Sequence, residues 1–75
     1  MKEVKILLEK TQQVKEFIAI TQNYEDEVIL RTDKHAVDGK SILGVFSLDL
    51  SEAITVEIYG DKADQLAAAL KKFAA

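Results

Sequence analysis

The sequence predicts one domain of the α+β class, an open-faced sandwich in which helices cover a single face of a β-sheet. Two observations support this prediction. Four short segments have the alternating or strand-forming character of β-strands, and three segments carry apolar residues at helical spacing. Strands that alternate apolar and polar residues need cover on one face only, and three amphipathic helices can provide it. The predicted order of elements is β-α-β-β-α-β-α.

The first strand and the first helix are predicted from the spacing of apolar residues near the start of the chain. Alternation indicates a half-buried strand whose apolar positions are Val4, Ile6 and Leu8. Spacings of three and four residues indicate a helix whose buried stripe is Val14, Phe17, Ile18 and Thr21. Thr11 is expected to cap this helix, because a threonine oxygen can accept from the unpaired N–H groups of the first turn.

Two strand-like segments and two turns make up the middle of the chain. The residues from Glu27 to Thr32 are predicted to form the second strand, and Asp33-Lys34 a turn. A short third strand is expected around His35 to Val37. Asp38-Gly39 is the strongest turn dipeptide in the sequence, so the next turn is placed there.

A short second helix is predicted from Ser41 to about Leu50, and it has more apolar side chains than one helix face can bury. Ser41 is its expected N-cap. Val45 and Leu48 fall on the face expected to be core, whereas another face carries Ile42, Leu43 and Phe46. These three would be core only if the helix were rotated from this placement. We therefore expect them to be exposed and to contact a protein partner.

The last strand and the last helix complete the predicted order. The strand directs three apolar side chains to one face, Ile54, Val56 and Ile58. Asp61 is expected to cap the last helix, with Asp64 three residues later as in a capping box. The buried stripe of this helix is Leu66, Ala67, Leu70 and Phe73.

The composition excludes several classes of site. The 75 residues include no cysteine and one histidine, which leaves neither a disulfide framework nor a typical metal site, and no cofactor is expected. The net charge of −3 and the scattered lysines argue against nucleic acid as a partner. Neither a run of about 18 apolar residues nor a hydrophobic leader is present, so the chain is predicted to be cytoplasmic without membrane contact.

Residues 40–48 resemble part of a known family. Their sequence, Lys-Ser-Ile-Leu-Gly-Val-Phe-Ser-Leu, is similar to the start of the second helix of HPr, the histidine-containing phosphocarrier of the bacterial sugar phosphotransferase system. The segments Tyr24–Leu30 and Ala53–Gly60 resemble neighbouring parts of the same family, so the likeness covers most of the chain without a gap. It implies a four-stranded antiparallel sheet with three helices on one face.

The part of the family pattern that carries its chemistry is not matched. In the family, a Gly-x-His-Ala-Arg-Pro-Ala motif with the phosphorylated histidine precedes the first helix. Here the histidine position holds Lys10, or Thr11 if the loop is aligned differently, and neither side chain can carry a phosphoimidazole. His35, the single histidine, does not match the family histidine and is expected to be a solvated strand or turn residue.

The resemblance also implies two functional features of the second helix. Ser41 matches the serine that a dedicated kinase phosphorylates in HPr of many Gram-positive bacteria, and a phosphate there would meet free N–H groups. Ile42, Leu43 and Phe46 match an exposed apolar patch that contacts phosphotransferase enzymes and a transcriptional regulator, with Lys40 beside it.

The sequence therefore predicts an HPr-like regulatory or interaction protein that is not an enzyme and lacks histidine phosphocarrier activity. It resembles the catabolite-repression paralogue of HPr. By this resemblance, its partners are HPr kinase/phosphorylase, a regulator of the LacI type or phosphotransferase enzymes. Two alternatives stay open at this point: a phosphoryl-transfer component with an atypical acceptor, and a domain whose fold survives while both phosphorylation sites are idle.

Overall fold

The computed structural model describes residues 1–75, which form four strands, three α-helices and one 3-10 turn. The strands are β1 (Lys2–Ile6), β2 (Val28–Arg31), β3 (Ala36–Asp38) and β4 (Ile54–Ile58). The helices are α1 (Thr11–Gln22), α2 (Ile42–Phe46) and α3 (Ala63–Ala69), and the 3-10 turn is Lys71–Phe73. The order of elements is the predicted one. None of the helices has the length and apolar character that a membrane crossing requires.

All four strands belong to one antiparallel sheet in the order β1-β4-β2-β3. Val56 of β4 lies opposite Val4 of β1 on one side and Leu30 of β2 on the other. The three helices pack on one face of this sheet and leave the other face uncovered. The prediction of a four-stranded antiparallel open-faced sandwich is confirmed.

The core fills the space between the sheet and the helices. Because alternate residues of a strand face the same side, β4 contributes three fully buried side chains, Ile54, Val56 and Ile58. The predicted stripes of the first and last helices are buried, namely Val14, Phe17, Ile18, Thr21, Leu66, Ala67, Leu70 and Phe73. A chain of this size has room for one such core, and most of the stability must come from it.

The last residues of the chain lie along the outer side of β1. Phe73 is buried, and its ring meets that of Phe17 edge-on with ring centroids 6.0 Å apart. The Leu7 N–H donates to the Phe73 carbonyl over 2.8 Å, and the Ala75 N–H donates to the Lys5 carbonyl over 3.1 Å. These bonds make a short antiparallel pairing at this edge of the sheet.

The predicted N-cap of α1 is wrong. Lys10 precedes the helix, and Thr11 is already its first helical residue. The Gln13 side chain reaches back over the helix start, and its Oε1 accepts from the backbone N–H groups of Lys10 and Glu9 over 3.0 and 2.7 Å. This is the glutamine half of a capping box, and it satisfies N–H groups that lie just before the helix.

The predicted cap of α3 is also wrong. The helix begins after Lys62, and no side chain caps it, so Asp61 lies outside the helix. Asp64 is in the first turn, where a negative charge favours the helix N-terminus, and its Oδ1 lies 3.4 Å from the Lys2 Nζ.

α2 is shorter than predicted and ends at Phe46 instead of continuing to Leu50. Beyond it, the Asp49 carboxylate accepts from the N–H and the hydroxyl of Ser51 over 3.0 and 2.6 Å. These bonds hold the pKa of Asp49 below its usual value. Such a local side-chain turn competes with helical hydrogen bonding, which explains the early end of the helix.

Three strands also have boundaries that differ from the prediction. β2 covers Val28–Arg31 and is one residue shorter at each end than the predicted Glu27 to Thr32. β1 ends at Ile6, before Leu8, although Leu8 is fully buried as its apolar character suggests. β3 covers Ala36–Asp38, one residue later than predicted, and His35 therefore lies in the turn before it.

Candidate functional site at the second helix

The start of α2 is capped by Ser41, as predicted. The Ser41 Oγ accepts from the Gly44 N–H over 3.1 Å, and the Ser41 carbonyl accepts the first helical bond, from Val45, over 3.0 Å. The backbone of Ser41 is extended, as an N-cap requires. Its hydroxyl is half-buried beside the first turn of the helix.

α2 buries one face and exposes the other. Val45 is fully buried and Leu48, just beyond the helix, is 6% exposed. The other face is open to solvent, with exposed fractions of 38% for Ile42, 81% for Leu43 and 42% for Phe46. We call these last three residues the α2 patch. The chain exposes five large hydrophobic residues, and three of them are in this patch, so apolar surface is concentrated on α2.

The turn that leads into α2 is held by the end of α1, a contact that the sequence analysis missed. The Thr21 hydroxyl donates to the Gly39 carbonyl over 2.8 Å, and the Gln22 Nε2 donates to the Lys40 carbonyl over 3.3 Å. A polar residue within the buried stripe of α1 was the available signal, because a buried hydroxyl needs a hydrogen-bond partner.

Lys40 contributes to the same turn instead of extending freely beside the patch. Its ammonium donates to the Tyr24 carbonyl and lies 5.9 Å from the centroid of the Tyr24 ring. The Tyr24 hydroxyl donates in turn to the Tyr59 carbonyl. Burial and the nearby carboxylates of Asp26 and Asp61 raise the pKa of Tyr24. The predicted contact of Lys40 with a partner would have to compete with these bonds.

Lys10 and Thr11, predicted from the resemblance to replace the histidine, are remote from Ser41. Lys10 and Thr11 are exposed at the start of α1, whereas Ser41 follows a turn that contacts the end of α1. The 12 residues of α1 span roughly 18 Å at the usual helical rise. The structure therefore does not bring Lys10 and Ser41 into one cluster.

The remaining polar candidates do not assemble a reactive centre. His35 is exposed in the turn between β2 and β3. No three histidine, cysteine or acidic side chains are placed to hold a metal ion together. Glu25, Asp26 and Glu27 are exposed, as predicted, and none forms an ion pair.

An ion pair between a partly exposed arginine and a buried glutamate lies on the uncovered face of the sheet, away from α2. The Glu57 side chain is only 10% exposed, because Arg31 covers it. The Arg31 Nε donates to Glu57 Oε2 over 2.8 Å, and Nη2 donates to Oε1 over 3.3 Å. These hydrogen bonds hold the pKa of Glu57 below its usual range in spite of burial. The pair connects β2 to β4 and contains no unoccupied base or nucleophile.

Comparison with known proteins places these features in context. Residues 10–75 match a family model described as the PTS HPr component phosphorylation site. The HPr-C-His protein of Thermoanaerobacter tengcongensis has a similar crystal structure, with a TM-score of 0.78 at 23% identity over 96% of this chain and 92% of that one.

The phosphocarrier protein HPr of Bacillus anthracis strain Ames is similar in structure as well, with a TM-score of 0.76 at 22% identity. That alignment covers 99% of this chain and 94% of the other. At this level of identity the two structures establish a shared fold. A search of curated proteins found no match.

Proposed function

Because this chain belongs to the HPr family of the sugar phosphotransferase system, we propose that it is a cytoplasmic HPr-like regulatory or interaction protein without histidine phosphocarrier activity. HPr is a phosphocarrier protein and not an enzyme, in agreement with the predicted absence of enzymatic activity. The proposed partners are proteins, namely HPr kinase/phosphorylase and either a LacI-type regulator or phosphotransferase enzymes.

The exposure of the α2 patch is the observation that carries this proposal. Leu43 is 81% exposed on a helix whose other face is anchored by Val45. Burying Leu43 in an interface would contribute roughly 1.5–3 kcal/mol before the entropic cost of association is subtracted. Ile42 and Phe46 are already more than half covered, so each would add a smaller amount. That gain is enough to anchor a small protein interface, whereas on a free monomer the same surface brings no benefit.

Ser41 gives the patch a means of control. A phosphate on its hydroxyl would add a charge of about −1.5 to −2 at the border of the patch. The N–H groups of the first turn of α2 can donate hydrogen bonds to the phosphate oxygens, so the helix would persist. A partner with an arginine at this point would bind more tightly after phosphorylation, and a partner with a carboxylate would be repelled.

The start of α1 supports the absence of phosphocarrier activity. By the resemblance in sequence, Lys10 replaces the family's histidine, or Thr11 does if the loop is aligned differently, and neither side chain can form the phosphoimidazole that HPr passes on. His35 is exposed in a turn without an arginine beside it in sequence, which makes it a poor substitute.

Phosphoryl transfer provides the first test of this proposal. We expect no mass change when the protein is incubated with enzyme I and phosphoenolpyruvate, and a gain of one phosphate with HPr kinase/phosphorylase and ATP. An authentic HPr serves as the positive control for enzyme I. A phosphate gained from enzyme I would contradict the proposal, and its loss in the His35→Ala variant would identify His35 as the acceptor.

Binding provides the second test. We expect Leu43→Asp to weaken binding to the kinase or the regulator at least tenfold, because it puts a charge at the centre of the α2 patch. Tyr59→Ala is the matched control, since Tyr59 is an exposed hydrophobic residue outside the patch. Equal affinities for the two variants would refute the patch as the binding surface.

A further inference from the structure

The turn at Gly39 and Lys40 determines how α2 leaves the sheet. The Gly39 N–H donates to the Val28 carbonyl over 2.7 Å, and the Ser41 N–H donates to the Asp38 carbonyl over 3.1 Å. The Asp38 Oδ1 accepts from the Lys40 N–H over 2.9 Å. The direction of the chain at Ser41 is therefore fixed by this turn.

Gly39 is pressed between β2 and α1. A Cβ atom on Gly39 would lie 2.7 Å from Val28 Cγ1, so only a glycine lets the turn come this close to β2. On its other side, the Gly39 carbonyl accepts from the Thr21 hydroxyl over 2.8 Å. Gly39 is itself buried, and no backbone N–H donates to its carbonyl. Thr21 is thus the donor on which this carbonyl depends.

Thr21 is well placed to hold the turn. The side chain is fully buried in the last turn of α1. A hydroxyl has one hydrogen to donate, and its contact with the Ile18 carbonyl is longer, at 3.3 Å, than its bond to Gly39. The Thr21 hydroxyl therefore donates mainly to Gly39 in the turn before α2, and only weakly to Ile18 within α1.

α2 depends on such external support. It has five residues, fewer than the length at which a helix is stable by itself in water. Only Val45 of the helix is buried, so its orientation is set by that single anchor, by Leu48 beyond its end, and by the turn before Ser41. A loose turn would leave the α2 patch without a fixed direction.

We propose that Thr21 is a positioning residue for the α2 surface: its buried hydroxyl holds the Gly39 carbonyl and so fixes the orientation in which Ser41 and the α2 patch meet a partner. This role rests on the proposed function, because the orientation matters only if the surface is bound. Thr21 itself touches no partner. It acts through the turn, and its loss would widen the range of directions that α2 samples before binding.

The direct test is amide hydrogen exchange in the Thr21→Val variant, which keeps the shape of the side chain and removes the donor. We expect the Gly44 and Val45 amides to exchange at least tenfold faster, with the β4 amides changing much less. Thr21→Ser, which restores a donor, should recover slow exchange. Uniform acceleration across α2 and β4, or no recovery in the serine variant, would overturn the proposal.

The unsubstituted protein gives a second measurement that does not require a stable variant. A Thr21 hydroxyl bonded to Gly39 should exchange slowly with water and show a nuclear Overhauser effect to the Gly39 α-protons. A hydroxyl proton that exchanges too quickly to be seen at low temperature and low pH would contradict the inferred bond.

Kinase kinetics connect the position of Thr21 to function. With HPr kinase/phosphorylase and ATP, we expect Thr21→Val to raise the KM for this protein at least threefold with little change in kcat, and Thr21→Ser to restore it. An unchanged KM beside faster Gly44 exchange would refute the role in recognition. If the unsubstituted protein is not phosphorylated at all, the proposal for Ser41 fails, and hydrogen exchange still decides whether Thr21 positions α2.

Discussion

The hydroxyl oxygen of Ser41 caps α2 and is also the atom at which we propose phosphorylation. In the unmodified protein it accepts from the Gly44 N–H and so begins α2. In the proposed regulation the same atom becomes the ester oxygen of a phosphate, which carries further oxygens that can accept from the same helix start. The residue that initiates the helix can therefore also be modified without removing the helix.

We expect Ser41→Ala to lower the free energy of unfolding by about 1 kcal/mol, since it removes an N-cap, and to abolish labelling by HPr kinase/phosphorylase. Ser47→Ala is the matched control. The Ser47 hydroxyl donates to the Gly44 carbonyl at the end of α2, and its loss should change stability by about 0.5 kcal/mol or less and leave labelling intact. Denaturant unfolding and intact mass measure both effects. Labelling of the Ser41→Ala variant would disprove the assignment.

The ion pair of Arg31 with Glu57 is expected to make the stability of the protein depend on pH. The folded-state pKa of Glu57 is lowered by Arg31, so its contribution to stability is present above the usual glutamate pKa of about 4.3 and is lost as the pH falls through the lower folded value. As the pH is lowered from about 5, the free energy of unfolding should fall less for the Glu57→Gln variant than for the unsubstituted protein, because glutamine has no carboxylate to protonate. Glu3→Gln, an exposed neighbour opposite Glu57, is the control. Equal pH dependence in all three proteins would contradict the argument.

At the scale of elements, α2 is a short helix of five residues with one buried side and one exposed side. Val45 is buried against the core, whereas Leu43 is 81% exposed. The helix therefore contributes little to the core for its apolar content. Its apolar residues are better explained by contact with another protein than by packing within this domain.

The two leucines at either end of this segment allow a direct comparison. We expect Leu43→Ala to lower the free energy of unfolding by less than about 1 kcal/mol, because the side chain is exposed. Leu48→Ala should cost about 2–5 kcal/mol through lost burial and a cavity. Urea unfolding of both variants measures this difference. Similar losses would mean that the α2 patch belongs to the core.

Apolar spacing predicted the elements, and local chemistry explains where the prediction failed. The buried residues of α1, α3 and β4 were predicted from the spacing of apolar residues, and the prediction holds because the same spacing determines which side chains face the core. Thr11 and Asp61 were assigned as caps from residue type, yet both helices begin elsewhere: α1 follows Lys10, whose N–H donates to Gln13, and α3 follows Lys62 without a side-chain cap. The Asp49 turn shortens α2 in a way that no apolar pattern records.

The candidate site was predicted in part. The identity of the exposed face of α2 followed from counting apolar residues, because one face could not bury them all. The contact of Thr21 with Gly39 joins residues that are 18 positions apart, and no spacing rule relates them. The bonding of Lys40 to Tyr24 likewise depends on how α1 and α2 meet in three dimensions.

At the scale of the whole molecule, the end of the chain completes the core and the sheet together. Phe73 packs against Phe17 of α1, while its carbonyl accepts from Leu7 just after β1. Through Phe73, the 3-10 turn that follows α3 therefore contacts both the first helix and the edge of the sheet.

We expect Phe73→Ala to lower the free energy of unfolding by about 3–5 kcal/mol, because a large buried side chain is removed. In a domain of 75 residues this is a large share of the total stability. Phe73→Leu, which keeps most of the apolar volume, should cost clearly less. Thermal and urea unfolding provide the measurement. A loss below about 1 kcal/mol for Phe73→Ala would show that this end of the chain is not part of the cooperative core.

The pairing of the chain end with β1 also affects how the molecule behaves at high concentration. An edge strand with free N–H and C=O groups is a template on which a second chain can add, and growth of this kind leads to fibrils. Here the Lys5 carbonyl and the Leu7 N–H are already occupied by Ala75 and Phe73. At the opposite edge, β3 has only three residues and runs directly into the turn before α2. The last part of β1 and the short β3 therefore offer little backbone to an incoming chain, which limits edge-to-edge aggregation at both borders of the sheet.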